Sequence, residues 1–302
     1  LKLRQALYDK PFYRLVHAEG DGLPGLTIDR FGETLVLQIT TAGMEGLLTP
    51  LTMALETVLS PQSIILRNDA PVRSLEGLEL YVRAEKGAMG RIAVEENGAR
   101  YFADLGQGQK TGWYYDQRDN RAFIAGLSKG KSVLDAYSYT GGFGILAAKA
   151  GASEVMCVDS SAPALSLAEE SAAANKASIR AVKGDVFEEL ERLSAQKEVF
   201  DIVVADPPPF VKSKKDLEPG AKAYRKLARL AAAITTKGGM LLLASCSHNM
   251  PTDRFMSECA AGILRTGRKA SLIRIAGAGP DHPVHPMLPE SAYLKSLVFA
   301  LD

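Results

Sequence analysis

From residue 132 onward the sequence repeats one rhythm: a short apolar run, then a stretch long enough for a helix. SVLDA (132–136), EVMCVD (154–159), SIRAVK (178–183), FDIVVAD (200–206) and GMLLLAS (239–245) are the runs. Helical stretches at 142–150, Ser161–Asn175, 185–193 and 219–236 separate them. Continuous apolar strands joined by crossovers belong in a parallel sheet covered by helices on both faces. Two more strand candidates, SLIRIA (271–276) and YLKSLVFAL (293–301), are joined by GAGPDHPVHPMLPESA, which has no room for a regular crossover helix. An antiparallel closing hairpin is expected there, giving seven strands with the last one reversed.

Upstream the rhythm is different. Residues 12–40 alternate short strands with Gly/Asp/Pro turns, as in a β-meander. Met44, Leu47, Leu48, Leu51, Leu55 and Val58 then keep helical spacing, and SIILR, LELYVR, RIAVEE and ARYFADL read as further strands. With 302 residues the chain exceeds one average domain. We expect a small α+β domain over residues 1–105 and an α/β catalytic domain over 106–302.

The net charge of +1 excludes little, but its distribution is informative. Lys212, Lys214, Lys215, Lys222, Arg225, Lys226 and Arg229 crowd one segment against Asp216 and Glu218, either as a solvated helix face or as a phosphate-contacting patch. No run of 18 apolar residues predicts a membrane helix, and LKLRQALYDK lacks the apolar core of a secretory signal. Because Leu1 is not preceded by Met, the native protein is expected to begin earlier. Cys157, Cys246 and Cys259 show no metal-ligand spacing and cannot all pair, which predicts a reducing, cytoplasmic setting, no disulfides and no metal. Oligomeric state stays open, a homodimer included.

Chemistry concentrates at the carboxyl ends of the strands, where open α/β sheets bind ligands. VLDAYSYTGGFGI (133–145) is a strand, a glycine-bearing turn and a helix start, without the G-x-G-x-x-G spacing of NAD sites. It contributes Asp135, Tyr137, Thr140, Gly141, Gly142 and Phe143 as cofactor-binding candidates, the glycines allowing close backbone approach to a ligand. Asp159 ends the next strand where an acid meets ribose hydroxyls, with Ser160 beside it. Asp185 and Val186 follow the third strand, placed to meet an exocyclic amine. Each feature alone also fits an ordinary turn; four carboxylates at successive strand ends, Asp206 included, point to S-adenosylmethionine (SAM) rather than to a dinucleotide.

DPPPF (206–210) is stiff because three prolines fix φ. A rigid carboxylate with Phe210 able to stack suits a flat heteroaromatic substrate, and Pro207, Pro208, Phe210, Lys212, Lys214 and Lys215 are the substrate-binding candidates. In LLLASCSHNMP (241–251) Cys246 comes after the apolar run, whereas Cys157 lies inside one and Cys259 in a helix. A thiolate adding to carbon 6 of a pyrimidine makes carbon 5 nucleophilic, which is covalent catalysis. Cys246 and Asp206, at neighbouring strand ends, are the catalytic candidates. His248 is more economically a loop residue than a base.

YRLVHAEGDGLPGLTIDRFGE, ENGARYFADLGQGQKTGWYYDQRDNR, VLDAYSYTGGFG, VDSS, DPPPFVKSKKDL, SCSHN and DHPVHPMLPESAYLK together resemble the bacterial 23S rRNA 5-methylcytosine methyltransferases that carry an N-terminal PUA domain. The resemblance implies a class I SAM-dependent methyltransferase fold, Rossmann-like, with an antiparallel last strand and a preceding α+β domain that meets RNA. It implies Cys246 as nucleophile, large-subunit ribosomal RNA as partner, and Lys110, Thr111 and Arg118 near the methionine end of SAM. Members begin with a small PUA RNA-binding domain, which nothing before Leu1 supplies here. Methylation at uracil C5, guanine N7 or an exocyclic amine stays open beside cytosine C5, as does a non-catalytic SAM-binding RNA module.

Overall fold

The computed structural model describes residues 1–106, 108 and 111–302. They form two compact units: Leu1–Arg118 with Gly279–Ser291, and Asp119–Ala278 with Ala292–Asp302. The boundary thus falls at Arg118 rather than at residue 105, and the first unit also takes in a piece from near the C-terminus.

The first unit opens with α1 (Lys2–Leu7), β1 (Phe12–His17), β2 (Leu26–Phe31) and β3 (Thr34–Ile39). Next come α2 (Ala42–Glu45), α3 (Leu48–Leu59), β4 (Ser63–Asn68) and β5 (Tyr81–Lys86). β1 to β5 form one sheet in chain order, parallel at β3–β4 and antiparallel elsewhere. Alternate residues Leu26 and Ile28, Leu35, Leu37 and Ile39, and Ile64 and Leu66 project to one face, where Leu55 of α3 covers them. A separate ribbon pairs β6 (Arg91–Glu96) with β7 (Ala99–Asp104).

The continuous helix expected over 44–59 is broken at Gly46, the C-cap of α2. α3 restarts with Leu48, Leu51, Leu55 and Leu59 toward the core, so Leu47 and Val58 fall off that stripe and are exposed. Gly279–Ser291 is held through Asp281: its Oδ2 accepts the Arg14 backbone N–H at 2.9 Å and its carbonyl accepts Arg4 Nη2 at 3.0 Å.

The second unit follows the expected alternation. It contains α4 (Arg118–Leu127) from its second residue on, β8 (Ser132–Ala136), α5 (Gly142–Lys149), β9 (Glu154–Asp159), α6 (Ala162–Ala174), β10 (Arg180–Lys183) and α7 (Val186–Gln196). Then come β11 (Phe200–Ala205), α8 (Leu217–Ala233), β12 (Thr235–Ser245), α9 (Thr252–Leu264), β13 (Ala270–Ala276) and β14 (Lys295–Leu301). The sheet order is β10-β9-β8-β11-β12-β14-β13, with β14 antiparallel to both its neighbours. Burial on both faces explains the unbroken apolar runs: Val203 and Ala205 face one core while Ile202 and Val204 face the other. Leu241 and Leu243 against Leu242 and Ala244 repeat the pattern on β12. Among the described residues no helix is long and apolar enough to cross a membrane.

Candidate active site

Strands β8 to β12 run parallel, so their carboxyl ends share one edge. Asp135 lies in the last turn of β8, Asp159 ends β9, Asp185 caps α7 just past β10, and Asp206 and Cys246 directly follow β11 and β12. The sheet thereby collects all four sequence-predicted carboxylates and the candidate nucleophile on one side of the unit.

The loop after β8 has a demanding backbone. Tyr137, Tyr139 and Gly141 have φ of 62°, 49° and 79°, and left-handed tyrosines cost energy that neighbouring bonds must offset. Those bonds are present: Ser138 N–H donates to Val158 O at 3.0 Å, Tyr139 N–H to Asp159 Oδ2 at 2.8 Å and Gly141 N–H to Ser138 O at 2.8 Å. Ser138 Oγ and Thr140 Oγ1 are buried and have no hydrogen-bond partner among the described residues.

The glycines serve packing as well as backbone freedom. A Cβ on Gly141 would stand 2.8 Å from Ile145 Cδ1, one on Gly142 2.5 Å from Arg121 Nε, and one on Gly144 2.5 Å from Cys157 Sγ. Protein atoms fill all three spaces. Phe143 and Val186 are likewise core residues, Phe143 beside Ala147 and Val155, and Val186 beside Leu190 and Met156.

Burial raises the Asp135 carboxyl to about 7; the Gly144 N–H it accepts at 2.8 Å and Arg121 oppose this, while Asp206 and Asp159 add to it. Asp206 and Asp159 therefore both act on Asp135 along this edge. Asp159 is oriented by two backbone donors, Tyr139 N–H on Oδ2 and Ser161 N–H on Oδ1, both at 2.8 Å. Asp185 has a structural task too: its Oδ1 accepts Glu188 N–H at 3.1 Å and caps α7. Ser160 is exposed beside Asp159. Burial, with Asp185 and Tyr224 nearby, raises the Tyr137 hydroxyl well above its ordinary range.

Cys246 is half-buried, and its Sγ lies 4.0 Å from the carbonyl oxygen of Pro207 in the D-P-P-P-F loop. The two serines beside it hold this register. Ser247 Oγ accepts Val211 N–H at 3.2 Å and meets Tyr224 Oη at 2.9 Å, while Ser245 Oγ donates to the same hydroxyl at 2.8 Å. Asn249 Nδ2 adds a bond to Lys212 O at 3.2 Å. Cys157 and Cys259 are fully buried, which pushes both thiols well above their usual range.

Other candidates fall differently. Pro207 is buried and Pro208 exposed. Phe210, expected to stack on substrate, is half-buried between Phe187 at 6.0 Å and Tyr224 at 4.8 Å between ring centroids. Lys212, Lys214 and Lys215 are exposed, whereas Arg225 and Lys226 pair with Glu258 and Glu191. Thr111 and Arg118 belong to the first unit. There Thr111 Oγ1 donates to Asp29 Oδ2 at 2.5 Å, and the Arg118 guanidinium covers the Tyr8 ring at 4.2 Å. Lys110 lies outside the described residues. Sequence reading missed Tyr224 and Lys295; each carries a signal, Tyr224 on the buried stripe Ala221–Tyr224–Leu227–Ala228 of α8, and Lys295 as a lone charge opening an apolar strand.

Residues 84–300 match the model of the S-adenosylmethionine-dependent methyltransferase family. Curated relatives include the ribosomal RNA large subunit methyltransferase I of Aeromonas salmonicida, 41% identical over 95% of this chain and 74% of its own length. The protein of the same name from Enterobacter sp. strain 638 is 40% identical over 94% and 73%. This chain belongs to the S-adenosylmethionine-dependent methyltransferases. A candidate SAM-dependent methyltransferase from Streptococcus mutans superposes with a TM-score of 0.85 at 25% identity, covering 99% of this chain and 78% of that one. Another candidate methyltransferase, solved with S-adenosylhomocysteine, gives 0.86 at 24% identity and the same coverage, and shows the shared fold.

The edge of this methyltransferase suits its cofactor chemically. SAM carries a sulfonium and an ammonium, and a cation relieves the repulsion that Asp206 and Asp159 exert on Asp135. Ser138 Oγ and Thr140 Oγ1 are buried groups without partners among the described residues, and both oxygens of Asp159 keep a lone pair for hydroxyl donors.

Proposed function

We propose that the chain methylates carbon 5 of a cytosine in large-subunit ribosomal RNA. The observation that carries this reading is the placement of Cys246: partly accessible, one residue past β12, with Sγ 4.0 Å from the loop that bears Asp206. The names of the 40–41% identical relatives support ribosomal RNA as the substrate. Such a substrate belongs to the cytoplasm, and the exposed Lys212, Lys214 and Lys215 supply charge for its phosphates.

In this reading Asp135, Tyr137, Thr140 and the Gly141–Gly142 turn hold the methionine end of SAM. Asp159 with Ser160 takes the ribose and Asp185 the adenine. When bound, SAM supplies an electrophilic methyl group. The target cytosine is turned out of its stack. Asp206, stiffened by Pro207 and Pro208, accepts from the 4-amino group and shares a proton with N3, which is protonated or takes the hydrogen of the carboxyl group. The Cys246 thiolate adds at C6, and the displaced electron pair makes C5 the nucleophile. Once C5 has been methylated, a base takes its proton and the C6–S bond breaks, sulfur keeping the pair.

Cys246→Ala should cut methyl transfer to unmethylated 23S RNA by at least about 10³-fold while SAM still binds. Activity within a few-fold of the parent would overturn C5 chemistry.

A further inference from the structure

Lys295 opens β14 opposite Ser245. Its side chain is 6% exposed, and its Nζ donates to Ser247 O at 2.7 Å and Tyr293 O at 3.0 Å. Two donors of an ammonium are thus spent on carbonyls, one of them on the residue directly after Cys246, and a third remains. Among the described residues Cys246 is the ionisable neighbour acting on this amine; burial lowers its pKa and Cys246 raises it again. A buried ammonium held only by carbonyl oxygens is costly, and a thiolate beside it offsets that cost.

We infer that Lys295 is a positioning residue for methyl transfer: clamped to the carbonyl that follows Cys246, its ammonium is the counter-ion that keeps Cys246 a thiolate. This rests on the reading of Cys246 as nucleophile. The thiol gives its proton to solvent, and the pair Cys246 S⁻/Lys295 NH₃⁺ is then neutral overall. Sulfur forms the C6–S bond with its own electron pair; at the end that bond breaks, sulfur takes the pair back, and the ammonium again faces a thiolate. The same charge therefore favours both formation of the nucleophile and its departure. Other ionisable groups on the neighbouring elements are Tyr224 from α8, Asp206 after β11, His248 after β12, and Tyr293. Burial holds the Tyr224 hydroxyl up, and it bonds to both serines flanking the cysteine.

The test is the pH profile of Cys246 alkylation by iodoacetamide in the full chain, read by peptide mass spectrometry. Cys157 and Cys259, both 0% exposed, report any loss of fold. Lys295→Met should raise the midpoint by about one unit or more and slow alkylation at pH 7 about tenfold, while Lys295→Arg restores most of the parent profile. A Lys295→Met profile superposing on the parent's, with Cys157 and Cys259 still protected, would overturn the inference. If that variant exposes Cys157 and Cys259, the parent decides: a midpoint below about 8.5 supports the pair, and one at or above it overturns it. Alkylation does not require methyl transfer, so the two readings fail separately. An unchanged profile with inactive Cys246→Ala removes only Lys295; a shifted profile with active Cys246→Ala removes the nucleophile and, with it, the catalytic role of the pair.

Discussion

Ser247 shows how much of this site is set by single side chains. Its hydroxyl accepts Val211 N–H and meets Tyr224 Oη, so it ties the cysteine-bearing tip of β12 to the proline loop. Ser247→Ala leaves a buried N–H without its acceptor, and should cost about 1–3 kcal/mol in urea unfolding. Methyl transfer should fall with it while SAM affinity, read by calorimetry, stays within a few-fold. Unchanged stability would mean that the link is not made in solution. At this scale the sequence was legible where chemistry and position coincide: Cys246 stands apart because it follows the apolar run instead of interrupting it. Tyr224 and Lys295 were not legible, because their meaning comes from partners 21 and 48 residues away. The packing of Phe210 against Phe187 and Tyr224 was not legible for the same reason.

Among the elements, α5 is where packing and site meet. An alanine inside a helix normally stabilises it relative to glycine by up to about 1 kcal/mol. Gly144→Ala should do the reverse, because its Cβ would stand 2.5 Å from Cys157 Sγ and 3.3 Å from Asp135 Oδ2. We expect a loss of about 1–3 kcal/mol and weaker SAM binding. Adding Cys157→Ala removes the sulfur and should recover part of the loss, which a double-mutant cycle in denaturant measures; strictly additive effects would contradict the packing account. The central strands were readable to within a few residues because burial on both faces forces unbroken apolar runs. The helix expected over 44–59 was not, since a periodicity count does not register the phase change at Gly46.

For the molecule as a whole, the membership of Gly279–Ser291 in the first unit was the least legible feature: a Pro/His-rich linker in sequence is a docked segment in space. His282 from that segment lies 4.9 Å from His17, ring to ring. Burial first, then Arg14 and His282, lower the His17 pKa to about 3, with Asp281 pulling the other way. A histidine whose folded pKa is lowered takes its proton more readily when unfolded. Its contribution is therefore complete above pH 6.5 and is lost as pH falls toward 3. Between pH 6.5 and 5 this amounts to about 2 kcal/mol. The chain's single tryptophan, Trp113, is buried in the first unit and reports on it. Urea unfolding followed by its fluorescence should weaken by that amount over this range, and His17→Gln should flatten the dependence.

Methylation at carbon 5 must expel the hydrogen already there, whereas methylation of an exocyclic amine or of guanine N7 leaves it in place. The most direct measurement is therefore tritium release from 23S RNA made with [5-³H]cytidine, run beside methyl incorporation from SAM. One tritium should be released to water for each methyl group transferred, and both should vanish in Cys246→Ala. Methyl incorporation with the tritium retained would contradict the account.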